Sequence, residues 1–213
     1  LPGDFIAMKL TGDITTTIPA LSEGVFWDFM SNSLSDDVFN YYEFNKSVIP
    51  SIRPVFSEHG KLTASVASSL LLKTGIPVTY KAGDQPNNAF SLNVLEPGEV
   101  AATAGTSGVI YAVSDELGYD EQSRVNSFAH VNYTVPSSLE QSSKTKIGSE
   151  ARKGEVRVGV LLCVNGCGIM NRYIKDNFSN GLSYTQMNEL AAAIPAGSYD
   201  LEVLPFGNGA ERM

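Results

Sequence analysis

The sequence predicts an α/β protein. Three observations carry that expectation: helical periodicity over the first 75 residues, a series of short β-type runs after Pro77, and a return of helical patterns near residue 169.

DFIAMKLT (4–11) suits a short helix that Gly12 would stop. Ser35 can cap a second helix over 36–43, with Val38, Phe39 and Tyr42 on one face. The clearest helical pattern is ASVASSLLLKT (64–74). Thr63 stands at its N-cap, Val66, Ala67, Leu70 and Leu71 form an apolar stripe, and Gly75 and Pro77 end it. Strands are then expected at 77–82, 99–104, 108–113, 125–132 and 156–163, with a last one near 200–206. The short gap between the second and third implies an antiparallel hairpin through Gly-Thr-Ser-Gly. Helices resume at 169–178 and 184–194, the latter opened by a capping box of Ser183 with Gln186 and followed by Pro195. Between strands, 137–155 is polar and nearly free of large apolar groups, so a surface excursion is expected there.

Composition narrows the partners. A net charge of −8 disfavours a nucleic-acid or anionic-membrane surface, because such partners select basic patches. No apolar run approaches the ~20 residues that span a bilayer, and no signal-peptide pattern stands at the start. Cys163 and Cys167 are spaced as neither a redox pair nor a usual zinc half-site, and reduced structural thiols are expected. The start LPGDF and the finish PFGNGAERM read as the cut ends of a longer protein.

Two stretches carry chemistry. In KAGDQPNNAF (81–90), Asp84 follows a predicted strand and Gly83, where an acid is either a turn former or a base at the mouth of a cleft. In ATAGTSGVIY (102–111), Gly105 and Gly108 bracket Thr106 and Ser107. Such a turn is a plain hairpin or a cradle of N–H groups and hydroxyls for a phosphate. It lacks the lysine of a Walker-type loop. VNGCGIMN (164–171) imitates a dinucleotide fingerprint, but Asn171 replaces the third glycine. His59 and His130 lie far from each other and from the cysteines in sequence, and structural roles are expected for both.

Together these pieces resemble the FGGY family of carbohydrate kinases, most closely its xylulokinase branch. LPGDFIAMKLTGDITTT resembles the family's helix ending in Leu-Thr-Gly before a Thr-rich turn. VTYKAGDQPNNAFSL resembles its strand ending in Gly-Asp-Gln or Gly-Asp-Asn, and ATAGTSGVIYAVS its phosphate turn. VLPFGNGAER resembles its Leu-Pro-aromatic segment, with Ala210 as an additional residue before Glu211.

The resemblance implies a partial ribonuclease H-like, actin-like ATPase fold. Residues 1–75 would be the end of the first kinase domain, and 76–213 the start of the second with an insert at 137–155. It implies that Asp84 is the base that deprotonates a sugar hydroxyl attacking the γ-phosphate of ATP, and that Gln85 helps hold the sugar. Gly105, Thr106, Ser107 and Gly168 would face the nucleotide, with Mg²⁺ as cofactor and no metal-binding residue assigned in this span. D-Xylulose is the expected substrate. Glycerol, gluconate, ribulose and rhamnulose are the rivals, and a non-catalytic actin-like binder is the alternative of another class. A cytoplasmic location is expected, and the resemblance leaves room for a homodimer. The family's Asp-x-Gly-Thr turn and its later glycine-rich adenosine segment do not occur in these 213 residues, so the chain alone is expected to be inactive.

Overall fold

The structure, a computed structural model, describes residues 1–134 and 156–204. The expected insert at 137–155 and the segment from Pro205 onward lie outside the described residues.

Helix α1 (Pro2–Thr11) starts with proline in its first turn, where a missing N–H costs nothing. It ends, as expected, at Gly12, whose φ of 80° suits glycine. Strand β1 (Thr15–Thr16) pairs in parallel with β4 (Ser51–Ile52), Thr15 lying opposite Ser51. Thr17 caps α2 (Ile18–Glu23) by accepting the Ala20 N–H. The antiparallel pair β2 (Trp27–Asp28) and β3 (Ser33–Leu34) leads to α3 (Asp36–Tyr41). Ser35 caps α3 as expected, yet only Phe39 of the expected face is fully buried, against Phe26. Tyr42 lies beyond the last helical residue and is exposed.

The helix expected over 64–74 stops early. Helix α4 spans Ala64–Ser69, capped by Thr63, and only Ala67 of the expected stripe is buried. Leu72 N–H returns to Ala67 O and Leu71 N–H to Ser68 O, which is a Schellman closure. Leu71 occupies its left-handed position with φ 56° and is 94% exposed. A left-handed conformation strains any residue with a Cβ by about 1–2 kcal/mol. Because no packing is lost, Leu71→Gly is expected to raise stability by about 0.5–1 kcal/mol in denaturant titrations.

The strand expected at 77–82 is not formed. The segment is extended, but a single bridge joins Lys61 to Pro77, with further hydrogen bonds from Val78 N–H to Gly60 O and from His59 N–H to Val78 O. Pro77 has no N–H for a ladder, so the pairing stays broken. Directly after Gly83 comes α5 (Asp84–Ser91), a helix that the turn residues of this stretch concealed.

Strands β5 (Val100–Ala104), β6 (Gly108–Ser114), β7 (Asn126–Ala129) and β8 (Val158–Val164) form a sheet in the order β5-β6-β8-β7. The three-residue link between β5 and β6 is the expected antiparallel hairpin. Strand β7 is shorter than the expected 125–132, because a turn closed by Tyr133 N–H to His130 O follows it. Helices α6 (Gly168–Phe178) and α7 (Tyr184–Ala192) follow, the latter with the expected capping box of Ser183 and Gln186. The strand expected near 200–206 is absent from its described part. Ser198, Tyr199 and Asp200 all have positive φ, in a 3-10 turn that cannot extend into a strand.

The chain clusters into two compact units. Among the described residues the first comprises 1–101, 111–119, 126–134 and 156–160, and the second 102–110, 120–125 and 161–204. Within the first unit, Tyr111 and His130 are fully buried. His130 Nε2 lies 3.0 Å from Val94 O, so that nitrogen carries the proton. Its Nδ1 therefore accepts from the Tyr111 hydroxyl at 3.0 Å. Burial pushes the His130 pKa down and that of Tyr111 up, so both stay neutral. The structural role expected for His130 is what this geometry gives.

Candidate active site

Asp84 sits at the first position of α5, and the segment before it is held at three points. Lys81 is buried, and its ammonium lies 2.8 Å from Asp4 Oδ1, 2.5 Å from Thr15 O and 3.0 Å from Thr15 Oγ1. Thr16 Oγ1 donates to the other Asp4 oxygen at 2.9 Å, which ties α1 and β1 to the same ion pair. His59, fully buried, donates from Nε2 to Val55 O at 3.1 Å, and its Nδ1 lies 3.4 Å from Thr15 Oγ1. Burial lowers its pKa, as a structural histidine requires. One residue earlier than Lys81, Tyr80 donates to Asn87 Oδ1 at 2.9 Å, and its ring packs against Phe56 and Phe90.

The result is a rigid approach to an open end. Gly83 and Pro86 are buried, Gln85 is half-buried, and Asp84 is exposed. Among the described residues no hydrogen bond ties the Asp84 carboxylate back to local backbone, as a turn former would require. A carboxylate on a fixed backbone and open to solvent is placed to accept a proton from a bound hydroxyl.

Sequence reasoning missed the neighbour of Asp84. Glu23, the last residue of α2, packs so closely on Gly83 that a Cβ there would overlap its carboxyl group. Burial, reinforced by the charge of Asp84, pushes the Glu23 pKa up to about 7. The N–H groups of Asp84 and Gln85 pull the other way. Glu23 Oε1 is buried with no hydrogen-bond partner among the described residues. One signal was available: an acid in the last turn of a helix opposes the helix dipole and calls for another explanation.

The second unit holds the other predicted residues and brings them together. The turn of Gly105, Thr106 and Ser107 closes with Gly105 N–H to Ser107 O at 3.0 Å. Helix α6 abuts it: Gly168 N–H donates to Gly105 O at 2.9 Å and Ile169 N–H to Thr106 O at 3.1 Å. A Cβ at 168 would overlap the Gly105 carbonyl oxygen, so only glycine permits this approach. Gly168 thus braces the turn, its own N–H already engaged. The N–H groups of Thr106 and Ser107 meet no acceptor among the described residues and are the donors left for an anion. Gly168→Ala is expected to cost about 1–3 kcal/mol by overpacking, read as a lowered urea midpoint. Hydrogen exchange at the amide of Ile169 should accelerate with it.

Among the described residues no three His, Cys, Asp or Glu side chains are grouped to hold a metal, and no helix is long and apolar enough to cross a membrane. Cys163 and Cys167 form no disulfide among the described residues.

No family model matches the chain. Curated relatives do: the xylulose kinase of Escherichia coli is 25% identical over 130 residues, 61% of this chain and 27% of that protein. The crystal structure of xylulose kinase from Rhodospirillum rubrum superposes with a TM-score of 0.76 at 25% identity, over 97% of this chain and 38% of that one. Gluconate kinase from Lactobacillus acidophilus gives a TM-score of 0.79 at 17% identity, a likeness of fold alone. The chain thus spans between about a quarter and two fifths of the lengths of these proteins. Its fold is part of the actin-like ATPase fold that these FGGY carbohydrate kinases share, and xylulose kinases are prominent among the proteins it is similar to.

Proposed function

We propose that this chain contributes one wall of the active site of an ATP-dependent sugar kinase whose substrate is D-xylulose. The observation that carries the reading is Asp84, an exposed carboxylate without local partners on a backbone fixed by Lys81 and Tyr80. In the proposed reaction a sugar hydroxyl gives its proton to Asp84 as its oxygen bonds to the γ-phosphorus of ATP. The bond from that phosphorus to the β-phosphate oxygen breaks, and ADP leaves. Gln85 holds the sugar beside Asp84. The N–H groups of Thr106 and Ser107 serve the nucleotide phosphates, with Gly105 and Gly168 shaping their backbone.

Among the described residues no cluster of His, Cys, Asp or Glu would hold Mg²⁺, which would arrive bound to the phosphates of ATP. Because the chain covers only part of its relatives' length, the rest of the cleft must come from residues beyond this span, and the isolated chain is inactive in this reading. The proposed division near residue 75 between two kinase domains, a cytoplasmic location and a homodimer go with it.

The 27% identity to the glycerol kinase of Thermococcus kodakarensis over 113 residues favours a second reading, the same chemistry on another sugar or polyol. ADP release from Mg·ATP by the full-length protein, with D-xylulose, gluconate, glycerol, ribulose and rhamnulose, separates the two. The highest kcat/KM on D-xylulose supports the first, and on another member of the panel the second. A nucleotide-dependent thermal shift without phosphorylated product overturns both in favour of a non-catalytic binder.

A further inference from the structure

We propose that Glu23 is a positioning residue for Asp84, its carboxyl group wedged against Gly83 and its charge set beside the carboxylate that this backbone presents. The inference rests on the reading of Asp84 as the base and deepens it.

The contact is steric before it is electrostatic. The Glu23 carboxyl occupies the space a side chain at 83 would need, so it touches the backbone that presents Asp84. A glycine at 83 and an acid at the end of α2 therefore form one arrangement. One carboxyl oxygen is buried without a partner among the described residues, and a charged acceptor left so is destabilising. That cost is smallest when Glu23 holds a proton.

The groups facing it are Asp84 and the N–H groups of Asp84 and Gln85 from α5, and the Tyr111 hydroxyl from β6. Of these Asp84 is the charge of the same sign. Burial is the first cause of the upward displacement of Glu23 to about 7, and the like charge of Asp84 adds to it. Below that pH Glu23 is neutral, and Asp84 carries the negative charge alone. Above it both carboxylates are charged, and their repulsion favours uptake by the pair of the proton that the sugar hydroxyl gives up.

The test has two arms on the full-length protein. In the first, ¹³C NMR of carboxyl-labelled glutamate follows the titration of Glu23, its signal assigned by its loss in Glu23→Gln. A midpoint near 7 is expected, falling by about one pH unit in Asp84→Asn as the repulsion is removed. A midpoint unmoved by Asp84→Asn overturns the coupling whether or not the protein is a kinase. In the second arm, kcat is followed from pH 6 to 9 with the best sugar substrate. A rise through pH ~7 in the wild type is expected, lost in Glu23→Gln and restored, at a shifted pH, in Glu23→Asp. Identical profiles for wild type and Glu23→Gln overturn the positioning role alone. Failure of the wild type to phosphorylate any sugar overturns the kinase reading, and the NMR result still decides the coupling.

Discussion

Replacing Asp84 by asparagine in the full-length protein is expected to lower kcat about 100- to 10,000-fold, the range spanned by general-base catalysis. The KM for sugar should change little, because the amide keeps the size and hydrogen-bonding reach of the carboxylate. Stability should also change little. The exposed Asp84 accepts no hydrogen bond among the described residues, and its favourable place at the start of α5 is worth about 0.3–1 kcal/mol at most. Relief of repulsion with Glu23 offsets part of that. A steady-state assay paired with a thermal melt reads both quantities. Retained kcat would return Asp84 to the rank of an ordinary helix-start residue.

Lys81→Met is expected to give the largest loss of stability. The ammonium is 5% exposed and binds Asp4 together with the carbonyl and hydroxyl of Thr15. Removing one partner of a buried pair leaves the other charge uncompensated, at about 3–5 kcal/mol when both are fully buried. Asp4 retains 21% exposure and a hydrogen bond from Thr16, so about 2–3 kcal/mol is the reasonable figure here. The double replacement Lys81→Met with Asp4→Asn should recover most of that loss in urea titrations. If it recovers nothing, the loss lies in packing rather than in charge.

The sequence disclosed what depends on neighbours in the chain. Caps at Ser35, Thr63 and Ser183, the stop at Gly12 and the hairpin between β5 and β6 are local events, and all were legible. The Gly-Thr-Ser turn and Gly168 were singled out separately, 63 positions apart from Gly105 to Gly168, and the fold sets one against the other. What escaped notice depends on tertiary context. Leu70 and Leu71 look like the continuation of a core stripe, yet the chain turns left-handed at Leu71 and leaves both exposed. The run before Gly83 has strand composition, but Pro77 withholds a donor, and the segment is secured by the Lys81 side chain instead. Glu23 precedes Gly83 by 60 positions, and no local pattern announces that the two will touch.

The order β5-β6-β8-β7 also has a consequence during synthesis. Strand β8 lies between β6 and β7, yet it is the last of the four to be made. From Ser114 to Val158 the ribosome must add 44 residues (158 less 114) before that central strand begins to emerge. At about 5–20 residues per second the wait is roughly 2–9 s. Throughout that interval β6 can pair with β5 on one side only. Its other edge, running through Val109, Ile110 and Tyr111, stays open to any passing strand or to a chaperone.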